Sequence, residues 1–587
     1  MLVRRVFRWD GGAFAVALAA AACFVYVIGF HYGAFLLNLP VGQEASWMDS
    51  TATVALVAGV AVVAVVFYGA ANLLFAWFDS ACAESAQAGA PLPLRTTLRS
   101  HFWKTFLLLV CCWLPWFIAH LPGTFDDDTI WQLVIWRTPS IWSDHHPWAT
   151  TALFGWVCDL GRDLAGTQSA GIVVLGIVQL VCAAAVFSLT FCYLRRFRVS
   201  KVLLVGCLVA VCIVPVYASF ASELVKDSVF SWPWLLFLLA YFELVRTRGH
   251  VLAGRAWLWA ALLGVAVLLV FSKKTGVYLV VPSLIILVAL VPGFRLRVVA
   301  LAAVVAMVFV VWSAVLLPAW GVAPGSSGEV LSAPLQQTAR VVTLHADELS
   351  DDERAAIAGV LPFDRLAQVY LSDTADPVKA LYESGNADAT ATWLRTWASL
   401  GLRYPLDYLL AVMGTNTGLY SPLSAFQLKN NMDTAFVEGN VRFFSGTPIA
   451  LVEAEALEQG ADPDAAVDGY LASTAEGLSS WPVLEPFKWL MNTYEWLIGC
   501  TPLRLAESLS IVGLWVPFVA LCYGMRTRSG FDRSVLVCLV PALLFLLTLV
   551  VSPTTVSRYF APAAFATPLI ACFPFVMASY RARVERR

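Results

Sequence analysis

Apolar runs of about 18–25 residues alternate with short polar, arginine-bearing connections through most of this chain. They fall near 13–37, 51–78, 103–121, 168–194, 201–220, 228–246, 256–272, 276–292, 298–318, 503–526, 533–552 and 557–580. A helix rises about 1.5 Å per residue, so about 20 apolar residues cross the roughly 30 Å hydrocarbon core of a bilayer. The pattern predicts an all-α polytopic membrane protein with about 12 transmembrane helices. The moderately apolar stretch 148–160 would reverse the orientation of every later span if it crossed the membrane. It reads instead as an interfacial or re-entrant helix. The first run is too long for a secretory h-region and shows no convincing cleavage site, so it is expected to be retained.

The connections supply orientation. Arg4/Arg5/Arg8, Arg95/Arg99/Lys104, Arg195/Arg196/Arg198/Lys201, Arg246/Arg248/Arg255, Arg295/Arg297, Arg526/Arg528/Arg533 and Arg581/Arg583/Arg586/Arg587 fall on one face when the spans are threaded alternately. The bias of Lys and Arg toward the cytoplasm then predicts a multi-pass chain with both termini cytoplasmic. The polar stretch 321–486 holds 22 acidic and 8 basic residues, a net of −14 in a chain whose total is −2. Such a segment, rich in Gly, Pro, Ser and Ala, is expected on the outer face as a small, mostly helical domain. Leu394, Trp397, Leu400 and Leu402 have helical spacing within it, and 389–392 and 461–464 look like helix starts or turns. Three parts result: an N-terminal transmembrane module over 1–320 whose first large outer loop is 122–148, an acidic extracytoplasmic domain over 321–486, and C-terminal transmembrane helices over 487–587.

Composition excludes the soluble alternatives. Hydrophobic residues make up 59% of 587 positions, charged ones 13%, and mean hydropathy is +0.74, values no soluble globular chain of this size needs. Thirteen cysteines lie mainly in apolar runs, with none in 321–486 and no CxxC pair. They read as small buried hydrophobes rather than a disulfide or metal framework. No clustered basic and aromatic surface points to nucleic acid as a partner.

Against this background the run Pro122-Gly123-Thr124-Phe125-Asp126-Asp127-Asp128-Thr129-Ile130-Trp131-Gln132, closely followed by Ser143-Asp144-His145-His146-Pro147, is anomalous. An Asp costs about 2.5–3.5 kcal/mol at the centre of an inserting helix, so three in a row exclude this segment from lipid. It sits at the water interface or lines a cavity. Glu223-Leu224-Val225-Lys226-Asp227, Ser272-Lys273-Lys274-Thr275 and Arg558-Tyr559 also fall at outer ends of spans. Outer cations run against the insertion bias, which suggests a compensating anion such as a lipid-linked phosphate at headgroup depth. Each feature has a plainer reading. The Asp run could be a solvated turn or helix N-cap, Lys273-Lys274 could snorkel to headgroups, and the histidines could bond locally rather than ligate a metal. The series Trp131, Trp136, Trp142 and Trp148 reads as an interfacial aromatic belt before it reads as a platform for sugars.

The motif Pro-Gly-x-x-x-x-Asp-x-x-x-Gln in the first outer loop, then His-Pro, an outer Lys-Asp pair and a late Arg-Tyr, resembles the GT-C superfamily of membrane glycosyltransferases. The likeness is strongest to a bacterial multi-pass group, and is related in pattern to protein O-mannosyltransferases, the aminoarabinose transferase of lipid A and the catalytic subunit of oligosaccharyltransferase. It covers about 100–340 and, more weakly, 550–570. The resemblance implies a bacterial plasma-membrane enzyme with a GT-C-like fold, a polyprenyl-phosphate-linked sugar donor, and an envelope acceptor (glycan, lipid or protein) bound on the outer face. It also implies a catalytic Asp in the first outer loop, which matches Asp128. A carboxylate there would take the acceptor's hydroxyl proton, while preorganised cations would stabilise the departing phosphate. Asp126 and Asp127 could hold a divalent cation, magnesium or manganese, orient Asp128, or raise its pKa, and which Asp is the base stays open. Donor and acceptor contacts are expected from Gln132, His145, His146, Lys226, Asp227, Lys273, Lys274, Gln337, Arg340, Arg558 and Tyr559, in a membrane whose lipids are further partners. Pro334 to Arg340 resembles a family segment, though on physics alone it is a helix start just outside a span. Two other classes compete. A transporter or lipid flippase would show polar groups within broken helices near the midplane and often an internal repeat. A non-catalytic envelope scaffold would be indifferent to Asp128.

Overall fold

A computed structural model describes residues 9–383, 385–429, 432–526 and 533–584. Arg4, Arg5, Arg8, Arg528, Arg586 and Arg587, which helped to orient the spans, lie outside the described residues. The described chain is an all-α protein, with no strand and only four isolated bridges. Six helices are long and apolar enough to cross a membrane: Gly11–Leu37, Ser50–Gln87, Leu94–Ala119, Gln168–Arg196, Lys226–Thr247 and Pro292–Ala319. The pair Lys201–Ile213 and Pro215–Ser222, bent by 59°, makes a seventh if the two helices are taken as one broken span. Pro215 explains the bend, because the residue before a proline is pushed out of the helical region, and Val214 sits at φ −82°, ψ 122°.

The other apolar runs are helical but shorter than expected. They form Ala256–Ser272, Thr275–Leu290, Ile511–Met525 and Leu536–Val550. The last run, 557–580, divides into a 3-10 turn Ser557–Phe560 and helices Ala561–Ala571 and Phe573–Val584, with Pro562, Pro568 and Pro574 limiting each piece. Length and composition thus give six or seven crossings among the described residues. Trp148–Ala165 is an 18-residue helix that is not one of them. It packs on Asp127–Arg137 and on Gln168–Arg196. Its crossing with the latter is close: a Cβ at Gly171 would lie 1.9 Å from the Val157 carbonyl oxygen, so only glycine lets the two backbones approach.

The membrane core is aromatic and fully packed around Trp113, Phe187, Tyr217, Trp234 and Phe565. The region 321–486 is built around two apolar clusters rather than one. The first gathers Leu335, Val342, Ile357, Trp393 and Leu400, and Arg340 clasps it to the loop between the first two spans through Glu44 at 2.7 Å. The second gathers Val437, Val441, Val467 and Leu471 against Phe125, Ile130, Leu133 and Phe154, and so covers the 122–148 loop. The expected helix starts are present: Asn386 caps Ala387–Arg403 and Asp462 caps Pro463–Ala475, each by accepting from a backbone N–H.

Candidate functional site

Asp127–Arg137 opens with Asp127 and Asp128 in its first turn, where the exposed N–H groups and the helix dipole favour negative charge. Asp126 holds the N-cap position but makes no cap hydrogen bond. Backbone pairing fixes this turn beside the segment leading into Lys226–Thr247. Leu224 N–H donates to the Thr124 carbonyl at 2.9 Å, and the Thr129 hydroxyl donates to the Leu224 carbonyl at 2.6 Å.

That pairing brings the charges together. Lys226 Nζ lies 2.7 Å from Asp128 Oδ2 and 2.8 Å from His146 Nδ1. Arg558, from the Ser557–Phe560 turn, donates through Nη2 to Asp128 Oδ2 at 2.6 Å and through Nη1 to Asp126 Oδ1, while its Nε lies 3.5 Å from Asp227 Oδ2. Lys273 Nζ reaches Asp227 Oδ1 at 2.5 Å and sits 4.6 Å over the Tyr559 ring. Lys429 closes the rim, 3.6 Å from Asp127 and 3.9 Å from Asp126. Four carboxylates therefore meet four cations from five separate stretches of chain.

The Arg558-bearing loop is itself pinned from the polar region. Asn416 Nδ2 donates to the carbonyls of Val550 at 2.9 Å and Ser552 at 3.1 Å. The Thr555 hydroxyl donates to the Thr415 carbonyl at 3.0 Å, and Ala375 N–H to that of Pro553 at 2.8 Å.

The electrostatics follow from burial and pairing. Burial works against ionisation of Asp128, but Lys226, Arg558 and His146 outweigh it and hold its carboxyl well below the usual carboxylate range. Burial likewise opposes the charge on Arg558, and Asp128, Tyr559, Asp126 and Asp227 overcome it, raising the guanidinium well above its ordinary value. Burial, reinforced by the Lys226 charge, pushes His146 well below its usual value, so its imidazole is neutral. With Lys226 donating to Nδ1, the ring proton belongs on Nε2, which is buried and has no partner. Glu223, on the same face of the Phe125–Leu224 bridge as Asp126, has no ion pair among the described residues. Burial, and then Asp126, push its carboxyl up to about 8, which leaves it largely protonated at neutral pH.

Of the residues expected from sequence, Asp126, Asp127, Asp128, His146, Lys226, Asp227, Lys273, Arg558 and Tyr559 are brought together. Others lie beside the cluster or away from it. Lys274 pairs with Asp144 at 2.9 Å, and Asp144 also accepts from Trp148 N–H at 2.9 Å, so this lysine ties down a helix start. His145 lies against Trp131 at 4.5 Å and 4.0 Å from Glu329. Gln132 donates to Thr150 at 3.0 Å and Thr151 at 2.9 Å, bracing Asp127–Arg137 against Trp148–Ala165.

Gln337 and Arg340 are not brought to the cluster. The helix Ser332–His345 turns them toward the apolar cluster around Leu335 and Trp393, where Gln337 accepts from Trp397 at 2.9 Å and Arg340 pairs with Glu44 and Asp407. The tryptophans pack on one another and on a neighbouring ring rather than standing as an open platform. Trp136, Trp142 and Trp148 pack on one another at 5.0–6.3 Å, and Trp131 stacks on Phe444 at 5.5 Å. For a divalent cation, no group of three or more His, Cys, Asp or Glu among the described residues is arranged to hold one. The oxygens of Asp126, Asp128 and Asp227 face ammonium and guanidinium groups instead.

Sequence reading did not count Lys429 or Glu223 among the site residues. The signal for Lys429 was its rarity, as one of 8 basic residues in a region of net −14. For Glu223 it was adjacency to the Lys226-Asp227 pair.

Comparison with known proteins adds one match. A family model described as a family of unknown function (DUF6020) matches residues 130–438, more than half of the chain. The matched segment includes His146, Lys226, Lys273 and Lys429, begins just after the Asp run and ends before Arg558. No curated protein and no solved structure matches the chain.

Proposed function

We propose that this chain, which belongs to the DUF6020 family, is a membrane glycosyltransferase that moves a sugar from a polyprenyl-phosphate donor to an envelope acceptor, with Asp128 as general base. The observation that carries this reading is the convergence of Lys226 and Arg558 on a single oxygen of Asp128, at 2.7 and 2.6 Å.

A carboxylate so paired is a weak base at rest. An anionic donor competes for the same two cations, because phosphoryl oxygens accept strong charge-assisted bonds from ammonium and guanidinium. As Lys226 and Arg558 turn toward phosphate, Asp128 loses the partners that hold its pKa down, and its basicity rises only when donor is present. The acceptor hydroxyl then gives its proton to Asp128 while its oxygen attacks the anomeric carbon. The bond to the phosphate oxygen breaks, and the charge left on that oxygen meets Lys226 and Arg558. Lys273 and Lys429 hold Asp227 and Asp126, which orient Arg558.

In this reading the shorter apolar helices complete a GT-C-like module of about 12 spans, both termini are cytoplasmic, and the charge cluster faces outward from a bacterial plasma membrane. The gathering of polar groups at helix ends, in the first turn of Lys226–Thr247 and just after Ala256–Ser272, favours an enzyme over a transporter with a midplane site. Deleting the gene and profiling lipid-linked sugars by mass spectrometry tests it. A polyprenyl-phosphate sugar is expected to accumulate and to fall again when the wild-type gene is restored. An unchanged pool excludes the proposal.

A further inference from the structure

The helix Glu485–Gly499 reverses the pattern of a helix that faces water. Its outward positions are Trp489 and Leu490, then Trp496 and Leu497 two turns later, between 49 and 69% exposed. Its one cation is turned inward, since Lys488 is buried, and its ammonium pairs at 2.5 Å with Glu485 at the exposed start of the helix. An outer face of two tryptophans and two leucines with the lysine turned away from it is unfavourable in water and favourable against hydrocarbon.

The helix also has a defined place. Trp481 N–H, just before it, donates to the Leu121 carbonyl at 3.1 Å, and the Tyr494 hydroxyl donates to the carbonyl of Ile213. It therefore lies across the ends of the Leu94–Ala119 and Lys201–Ile213 helices. The exposed apolar face of Leu94–Ala119, with Leu114 and Ile118 at its upper end, runs up to it without a polar break. The surface that meets lipid along that span is thus continuous with the Trp489–Trp496 face. Tryptophan is the side chain most at home where acyl chains give way to headgroups.

We propose that Glu485–Gly499 is an interfacial helix lying in the plane of the membrane leaflet nearest the acidic cluster, with Trp489, Leu490, Trp496 and Leu497 docked on the phospholipid headgroup and acyl boundary. Leu121, its neighbour, is five residues from Asp126, a reach of at most about 18 Å for extended chain. The helix thereby fixes the Asp126–Asp128 turn at headgroup depth, where a phosphate carried by a membrane lipid arrives without leaving the bilayer.

The test needs no activity, so its failure is separable from failure of the glycosyltransferase reading. A photoreactive amino acid is placed singly at position 489, 496 or 459 of the full chain, cells are illuminated, and adducts are identified by mass spectrometry. Phospholipid adducts are expected at 489 and 496 and not at Gln459, which lies on the acidic region. Should position 489 not tolerate the substitution, Thr493 on the same face replaces it. Cross-links to a second copy or another polypeptide at 489 and 496, absence of adducts there, or equal lipid labelling at 459 each overturn the proposal.

Discussion

Arg558 donates to Asp128 at 2.6 Å although the two residues are 430 positions apart in the chain. The same guanidinium also meets Asp126 and Asp227, so one side chain holds carboxylates from the 122–148 loop and from the start of the Lys226–Thr247 helix. Truncating one partner of such a buried cluster leaves charges unpaired, which costs about 3–5 kcal/mol. Arg558→Ala is expected to lower the unfolding temperature of the purified protein sharply. Arg558→Lys recovers part of the loss, because an ammonium cannot fork to Asp126 and Asp128 together. Asp126→Asn combined with Arg558→Gln is expected to be milder than Arg558→Ala alone. A thermal scan that finds Arg558→Ala as stable as wild type removes the cluster from the account of stability.

Asp128 carries the chemical prediction. Asp128→Asn keeps the shape but neither balances Lys226 and Arg558 nor accepts a proton. Sugar transfer is expected to fall at least about a hundredfold, the scale of a lost general base, while membrane insertion persists. Restoration of the normal lipid-linked sugar pool by this variant in a deletion strain moves the base elsewhere.

Glu223 makes stability depend on pH. Burial, and then Asp126, push its folded carboxyl from the ordinary 4.5 up to about 8, so the folded state holds a proton that the unfolded state releases. The stabilisation is fully present below about 4.5 and is lost as pH rises through about 8. Unfolding temperatures measured between pH 5 and pH 9 should therefore fall with rising pH, and Glu223→Gln should flatten that part of the profile. An equal slope in wild type and Glu223→Gln shows that other groups set it.

How much of this was legible depended on the range of the interaction. The Asp run, Lys226, Lys273 and Arg558 stood out because each places charge at the end of an apolar run, a cost that composition alone reveals. Their pairing is a tertiary fact, set by the Phe125–Leu224 bridge and by a loop near the C-terminal end of the chain. Gln337 and Arg340 were misplaced because proximity to a span said nothing about which way the Ser332–His345 helix would turn; Trp393 and Asp407, more than fifty residues on, decided it. Helix length within the spans was hidden for a related reason: an apolar run does not register the break at Val214 or the proline-divided end after Ser557. Lys429 was marked only by its rarity as a cation in the acidic region, and nothing local in the sequence tied it to Asp126.

Asn416 offers a last, sharper test of how the acidic region serves the site. Its buried amide donates to Val550 and Ser552, carbonyls at the end of the Arg533–Val550 helix that have no intrahelical donor. Among the described residues, the loop from there to Arg558 is hydrogen-bonded to the acidic region elsewhere through Pro553, Thr554, Thr555 and Ser557. Asn416→Ala strands two acceptors, at about 1–3 kcal/mol for a buried polar group left unpaired, and loosens the loop that aims the guanidinium. Unfolding temperature is expected to drop by several degrees, and amide exchange should quicken across 551–557 while the Leu94–Ala119 helix stays protected. Asn416→Asp, which keeps the size but replaces the donor with an acceptor facing two carbonyls, should be worse than alanine. Equal exchange in 551–557 for all three proteins shows that the loop is held by its other ties and that Asn416 does not position Arg558.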